Sequence, residues 1–92
     1  MLKIEFTGKM KRDVKRMCKR GKDMAKLEAV LRLLSANKPM PASYQDHQLK
    51  GKLHDFRECH IEGDWLLIYQ IIEDKLLLYA METGTHSDLF GE

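Results

Sequence analysis

The chain begins with a strand-like pattern that is followed by a helix-like one. Apolar and polar residues alternate from Leu2 to Phe6, which is the period of a short half-buried strand. Thr7 is a residue type that caps helices, and apolar residues then recur on one helical face as far as Gly21. The residues of this stripe are Met10, Val14, Met17 and Cys18. The pattern predicts a strand and then an amphipathic helix.

A second amphipathic helix is predicted directly after the first. Asp23 is its expected N-cap, and Asn37 with the two prolines that follow is expected to end it. Its apolar stripe consists of Met24, Leu27, Val30, Leu31 and Leu34. Because only a very short turn separates the two helices, we expect an antiparallel helical hairpin.

The second half of the chain has the period of strands. Positions 38–53 contain both prolines and few apolar groups, which predicts a connecting loop. Three strand-like segments with tight turns between them follow, namely His54 to Ile61, Asp64 to Ile72 and Lys75 to Met81. The middle segment is apolar on both faces, which is typical of a central strand.

The end of the chain departs from this period. Thr83-Gly84-Thr85 breaks the pattern, and His86 to Glu92 is expected to form a short tail. The predicted order is β-α-α-β-β-β, a helical hairpin packed on a small, mostly antiparallel sheet. With 92 residues, we expect one α+β domain spanning positions 1–92.

The charge is unevenly distributed along the chain. The formal net charge is only +2, but positions 1–53 hold 14 basic and 5 acidic residues, a net +9. Positions 54–92 hold 2 basic and 9 acidic residues, a net −7. The split suggests a polyanionic partner such as nucleic acid, although two halves packed into one domain would partly cancel.

Two function classes are disfavoured by composition. No apolar stretch approaches the ~20 residues that span a bilayer, and no export signal is recognisable, so we expect a cytoplasmic protein without a membrane partner. Cys18 and Cys59 are too few and too far apart for a disulfide scaffold or a zinc knuckle, and both are expected to be core thiols.

The four histidines are the main candidates for chemistry. His54 and His60 are expected to share one face of a strand, while His47 lies in the loop and His86 follows the last strand. Close pairs such as H-x₃-H or C-x₂-C are absent, so no metal site and no cofactor is predicted.

Histidines also suit RNA cleavage by the RNA's own 2′-OH, which needs a general base, a general acid and cations beside the phosphate. His60, Asp64 and Trp65 surround one turn, where a base, a carboxylate and a stacking ring could converge. Each also has a structural interpretation, because the histidine could be a surface group, the aspartate a turn residue and the tryptophan a core residue.

The first predicted helix is strongly basic. Its cations are candidates for contact with RNA phosphates or another polyanion, but an acidic protein partner or a solvated helix face would explain them equally well. The candidate residues are Lys11, Arg12, Lys15, Arg16, Lys19 and Arg20.

Five ordered motifs give the chain a specific resemblance. They are Tyr44-x-Asp46-His47-x-Leu49, Lys50-Gly51, Arg57-x-x-His60, Asp64-Trp65-x-Leu67-Ile68-Tyr69 and Thr83-Gly84-Thr85-His86-x-x-Leu89-Phe90-Gly91. Together with the basic first helix, the series resembles the YafQ branch of the RelE/ParE toxins over nearly the whole chain.

The resemblance implies a RelE-like fold and a bacterial type II toxin. It implies a ribosome-dependent endoribonuclease that cuts mRNA by metal-free 2′-OH attack and so inhibits translation. It also implies an acidic DinJ- or RelB-like antitoxin that neutralises the toxin.

The resemblance also assigns site residues. The positions of the family's catalytic group are His47, His60, Asp64 and His86. Trp65 and Phe90 match substrate-binding positions. We expect His60 or His47 to take the 2′-OH proton, and Asp64 or His86 to serve the leaving 5′-oxygen.

One position departs from the family pattern. Glu82 stands where related sequences carry an arginine that neutralises the scissile phosphate. Arg57 or Lys50 is expected to substitute as a substrate-binding cation, or the toxin is weak or inactive. The alternative function is therefore a RelE/ParE-fold protein that acts by binding, as a gyrase-type poison or an antitoxin binder.

Overall fold

The computed structural model describes residues 1–91. A five-stranded sheet has the order β1-β5-β4-β3-β2, with β1 parallel to β5 and the other pairs antiparallel. The strands are β1 (Lys3–Phe6), β2 (His47–Gln48), β3 (Arg57–Glu62), β4 (Trp65–Ile72) and β5 (Leu77–Gly84), and the helices are α1 (Gly8–Lys19), α2 (Met24–Ser35) and α3 (His86–Phe90). The α+β class with a helical hairpin on a mostly antiparallel sheet is confirmed.

Both helices of the hairpin begin at the predicted caps. The Thr7 hydroxyl accepts a hydrogen bond from the Met10 amide at 2.9 Å, and the Asp23 carboxylate accepts one from the Ala25 amide at 2.9 Å. Asp13 is buried on the sheet side of α1 and accepts a bond from the Thr83 amide at 3.2 Å. This carboxylate therefore ties α1 to the end of β5.

The two cysteines differ in environment. Cys59 is fully buried, as predicted, and burial raises the pKa of its thiol to about 12. Cys18 is exposed, so its prediction as a core thiol was wrong. It lies about 100° round the helix from the buried Met17, beyond the face that α1 turns to the sheet.

The sheet has one face covered by α1 and α2 and a second face that carries polar groups. Leu67, Tyr69 and Cys59 pack with the helices in the hydrophobic core. We call the other side the open face. Its side chains form two rows across paired strands. One row consists of Glu58, Ile68 and Glu82, and the next of His60, Leu66 and Gly84. The predicted central strand, β4, lies between β3 and β5.

Three segments differ from the prediction. β3 begins at Arg57, so His54 is not in the strand with His60. His54 is instead an exposed residue at the end of a short 3₁₀ turn, and its Nδ1 atom is hydrogen-bonded to the Gly51 carbonyl at 3.0 Å. The predicted loop at 38–53 contains the two-residue strand β2. No helix among residues 1–91 is long and apolar enough to cross a membrane.

The predicted break and tail form an ordered end instead. β5 continues through Gly84, and α3 follows because Thr85 and Asp88 close a capping box. A Cβ atom at Gly84 would lie 2.9 Å from Cβ of Asp88, so only glycine lets α3 fold this closely against the strand. Glu92 lies outside the described residues.

Candidate active site

Three of the four histidines and two carboxylates meet around the open face. His47 comes from β2, and Glu58 and His60 come from β3. Asp64 follows Gly63 in the turn before β4, and His86 is the first residue of α3. The fold therefore gathers residues that are 39 positions apart in the chain, from His47 to His86.

Asp64 and His86 form the most defined pair in this group. The Asp64 Oδ1 atom accepts hydrogen bonds from the His86 backbone amide at 3.1 Å and from His86 Nδ1. The His86 side-chain bond, followed by the backbone bond, lowers the pKa of Asp64. Asp64 is thus held as a carboxylate, and the hydrogen on His86 Nδ1 directs acid–base exchange to Nε2.

Glu58 is a buried carboxylate that the sequence reasoning missed. Its Oε1 atom lies 3.5 Å from Nε2 of His60 and 3.9 Å from Nε2 of His47, and its side chain is only 7% exposed. The signal was present, because Glu58 and His60 are two positions apart in one strand and so share a face. What the sequence concealed was the burial of that carboxylate beneath two histidines.

Backbone carbonyls fix the orientation of both imidazoles beside Glu58. His60 Nδ1 lies 3.2 Å from the Gly63 carbonyl oxygen, and His47 Nδ1 lies 2.7 Å from that of Gln45. Because a carbonyl oxygen only accepts, Nδ1 carries the hydrogen in both rings. Both Nε2 atoms are therefore turned toward the carboxylate.

Aromatic contacts continue the site along α3. The His60 and His86 ring centroids are 5.9 Å apart, and the His86 and Phe90 centroids are 6.4 Å apart. Phe90 is half-buried. The predicted association of His60, Asp64 and Trp65 is thus replaced by one of His60, Asp64, His86 and Phe90.

Trp65 and Arg57 do not lie on the open face with the histidines. Trp65 is 1% exposed within the core, and its indole donates to the Thr83 hydroxyl at 2.9 Å. Arg57 pairs across the sheet with the core residue Tyr69 and lies 3.4 Å from Asp46. Successive strand residues point to opposite faces, so Arg57 faces away from Glu58. The prediction of Trp65 as a substrate-binding residue was therefore wrong, whereas Arg57, with 39% of its side chain exposed, stays a prediction.

The predicted cations fall into two groups. Lys11, Arg12, Lys15 and Lys19 are exposed on α1, and Lys50 is exposed ahead of the 3₁₀ turn before β3. The other two helix cations are held by acidic side chains: Arg16 lies 3.1 Å from Asp13, and Arg20 lies 2.6 Å from Asp88.

Glu82 lies one row from His60 and in the same row as His47, which pairs with Glu58 on β3. It is beside Ile68 on the open face, 3.8 Å from Nζ of Lys9. A cavity of about 100 Å³ adjoins it. The lining residues are Leu53, Phe56, Ile68, Met81 and Glu82.

A metal ion would find three donors in this site. Glu58, His60 and His86 each offer one ligand atom, and these atoms lie within 4.8 Å of one another. Two imidazoles and a carboxylate suit zinc or copper. The prediction of no metal site considered only donors that are close in sequence, whereas these come from β3 and α3.

Comparison with known proteins identifies the family of the chain. The family model described as the bacterial toxin YafQ of type II toxin–antitoxin systems matches residues 2–91. The mRNA interferase toxin YafQ of Escherichia coli K12 is 48% identical over 89 residues, which is 96% of this chain and 95% of the relative. The chain belongs to the YafQ family of bacterial toxins. The predicted function, a type II toxin of the mRNA interferase kind, is thereby confirmed.

Solved structures of YafQ-like toxins have the same fold. The E. coli DinJ–YafQ complex matches with a TM-score of 0.88 at 46% identity, covering 99% of this chain and 100% of that one. A metal-bound toxin from Helicobacter pylori matches with a TM-score of 0.92 at 43% identity, covering 98% and 100%.

Proposed function

We propose that this YafQ-family toxin is a ribosome-dependent endoribonuclease of the bacterial cytoplasm. It cuts mRNA by attack of the 2′-OH on the adjacent phosphorus, which expels the 5′-oxygen and leaves a 2′,3′-cyclic phosphate. Side chains supply both acid and base. The observation that carries this proposal is the Asp64–His86 pair beside the Glu58 carboxylate and its two histidines.

His86 is the general acid in this proposal. Of the two candidates, Asp64 is the poorer acid, because its bonds to His86 lower its pKa and hold it ionised. Asp64 instead orients the imidazole and stabilises its protonated form. The proton that the leaving 5′-oxygen receives therefore comes from Nε2 of His86.

His47 is the general base. Its Nδ1 hydrogen is held by the Gln45 carbonyl, so Nε2 carries the lone pair that accepts the 2′-OH proton. His47 is half exposed at the edge strand, where an RNA chain has access to it.

His60 supplies positive charge beside the scissile phosphate. Its Nδ1 donates to the Gly63 carbonyl and its Nε2 lies 3.5 Å from the Glu58 carboxylate, a geometry in which a protonated ring is paired with Glu58. Such a cation stabilises the extra charge that develops on the phosphoryl oxygens. Glu58 thus acts by holding the His60 ring in place.

The Glu82 carboxylate is expected to limit the rate. Glu82 lies one row from His60 on the sheet. A cation at this position would stabilise the charge on the phosphate, whereas a carboxylate repels it. Lys9 offsets part of this charge from 3.8 Å. We expect Glu82→Arg to raise the cleavage rate on the order of 10²-fold, and an unaltered rate would refute this role.

Two macromolecular partners follow from the proposal. The exposed cations of α1 contact ribosomal RNA, so ribosome binding weakens as salt rises. An acidic DinJ- or RelB-like antitoxin neutralises the toxin, which is supported by the complex of the E. coli relative with DinJ.

Expression of the toxin in bacteria without its antitoxin, followed by mapping of mRNA 5′ ends, tests the function. We expect growth arrest with cuts in phase with codons, both lost in His86→Ala. Growth arrest with intact mRNA would indicate a gyrase-type poison, and no arrest would indicate an inactive binder.

A further inference from the structure

The cavity beside Glu82 is not used by the acid–base residues. Its walls are the apolar side chains of Leu53, Phe56, Ile68 and Met81, and its polar group is the Glu82 carboxylate. It lies on the same sheet face as His60, because Ile68 and Glu82 are cross-strand neighbours in the row that also holds Glu58. We call it the Glu82 pocket.

Strand register sets its distance from the reacting groups. The row of Ile68 and Glu82 is two residues along the strands from the row of His60 and Gly84. Two residues of extended chain span about 7 Å, and His60 on β3 lies two strands, about 10 Å, across the sheet from Glu82 on β5. A nucleotide whose phosphate lies at the histidines therefore has its own or the neighbouring base within reach of the Glu82 pocket.

The chemistry of the pocket suits a planar ring with hydrogen-bond donors on its edge. Phe56 provides an aromatic surface on which a base can stack. Glu82 lines the pocket and is half-buried, with 26% of its side chain exposed. An ionised carboxylate only accepts hydrogen bonds.

We infer that the Glu82 pocket is a guanine-binding subsite for a nucleotide adjoining the scissile bond. This inference rests on the proposed function. Guanine presents two adjacent donors on its pairing edge, N1–H and N2–H, which match the two oxygens of one carboxylate. The pairing edges of adenine and cytosine have an acceptor beside the amino donor, and the pairing edge of uracil has a carbonyl on each side of its N–H donor. Each of these bases would therefore place an acceptor against a carboxylate oxygen, which only accepts.

Lys9 makes such a subsite compatible with a polyanionic substrate. Its ammonium group lies 3.8 Å from Glu82 and 3.0 Å from Asp13, so it is shared between the two carboxylates. It balances the carboxylate charge without occupying the apolar walls. Related toxins carry an arginine at the position of Glu82, which stabilises the phosphate. In this chain Glu82 selects the base instead.

Sequencing of cut sites on ribosome-bound mRNA with randomised codons tests the subsite. We expect guanine at one fixed position beside the cut, and Glu82→Gln to reduce that preference roughly 10- to 100-fold because it replaces one acceptor oxygen by a donor. The matched control is Glu73→Gln, an exposed glutamate in the turn before β5, which keeps the preference. Cutting without guanine preference, or a preference that survives in Glu82→Gln, overturns the inference.

A second measurement does not depend on cleavage. Titration of the isolated toxin with 3′-GMP and 3′-AMP, followed by the NMR signals of Ile68 and Phe56, is expected to shift both residues with 3′-GMP alone and only when Glu82 is present. If the toxin cuts no RNA yet shows this response, the proposed function fails and the subsite stands. Equal responses to both nucleotides, or none, overturn the subsite even if RNA is cut.

Discussion

Arg20, the C-cap residue of α1, and Asp88 of α3 form an ion pair with two parallel hydrogen bonds, 2.6 Å from Nη1 to Oδ2 and 3.0 Å from Nη2 to Oδ1. Asp88 also accepts a bond from the Thr85 amide at 3.0 Å, which closes the capping box of α3. His86 is the first residue of that helix. The end of the first helix therefore helps to hold the helix that carries the proposed acid.

We expect Arg20→Gln to slow cleavage without removing any group that touches RNA at the site. Loss of the pair loosens α3, and a small misplacement of a reacting group costs roughly 10- to 100-fold in rate. Single-turnover cleavage at saturating ribosome measures it. Lys19→Gln is the control, because it removes the same charge from the adjacent exposed position. We expect it to weaken ribosome binding without changing the single-turnover rate, which separates the positioning of α3 from contact with a polyanion. Equal rates for the two variants would contradict this role.

The same pair makes stability depend on pH in one direction. Arg20 lowers the pKa of Asp88 in the folded state, so the pair stabilises the fold above the unfolded-state pKa near ~3.9 and loses this effect as pH falls below it. The difference in Tm between wild type and Asp88→Asn is therefore expected to be full at pH 7 and to shrink below about pH 4. A difference that stays constant from pH 7 to pH 3 would show that the charge of Asp88 is not involved.

Trp65 is expected to govern stability and not substrate binding. Trp65→Phe removes the indole bond to Thr83 and leaves a cavity in the core, which costs about 2–4 kcal/mol in the free energy of unfolding. Denaturant unfolding measures this cost, and cleavage by the remaining folded protein should be unchanged. Phe90→Leu is the matched substitution at the site, and we expect it to slow cleavage while leaving the free energy of unfolding nearly unchanged. A Trp65 variant with normal stability and impaired cleavage would restore the stacking role.

A transition metal is expected to inhibit the toxin. Zn²⁺ or Cu²⁺ bound by Glu58, His60 and His86 would take His86 out of proton transfer and remove the positive charge that His60 supplies. Cleavage should fall as either ion is added and recover with a chelator selective for transition metals, with Mg²⁺ retained for the ribosome. Glu58→Gln should lower the affinity for the ion, measured by calorimetry. Activity that is lost on selective chelation, rather than regained, would contradict acid–base cleavage by side chains.

Much of the fold followed from periodicity, and the errors have physical causes. The caps at Thr7 and Asp23 and the central strand were predictable because each depends on residues close in sequence. α3 was missed because five residues are too few to establish a helical period, although Thr85 and Asp88 have the spacing of a capping box.

The site was less predictable, because it depends on which sheet face each side chain occupies. β4 is buried on both faces, so its apolar pattern could not assign Trp65 to the core side. The same ambiguity of register concealed Glu58, whose burial arises only when β2 and β4 flank β3. His47 and His60 were found because their residue type alone suits proton transfer.

The central claim, that His86 protonates the leaving oxygen, is tested most directly with a substrate whose scissile 5′-oxygen is replaced by sulfur. A thiolate leaves without a proton, so an enzyme that lacks only its general acid should still cut this substrate. We predict that His86→Ala loses roughly 10²- to 10⁴-fold on the oxygen substrate and regains nearly wild-type cleavage on the sulfur one, whereas His47→Ala remains impaired on both. A defect in His86→Ala that is equally large on both substrates would contradict the account.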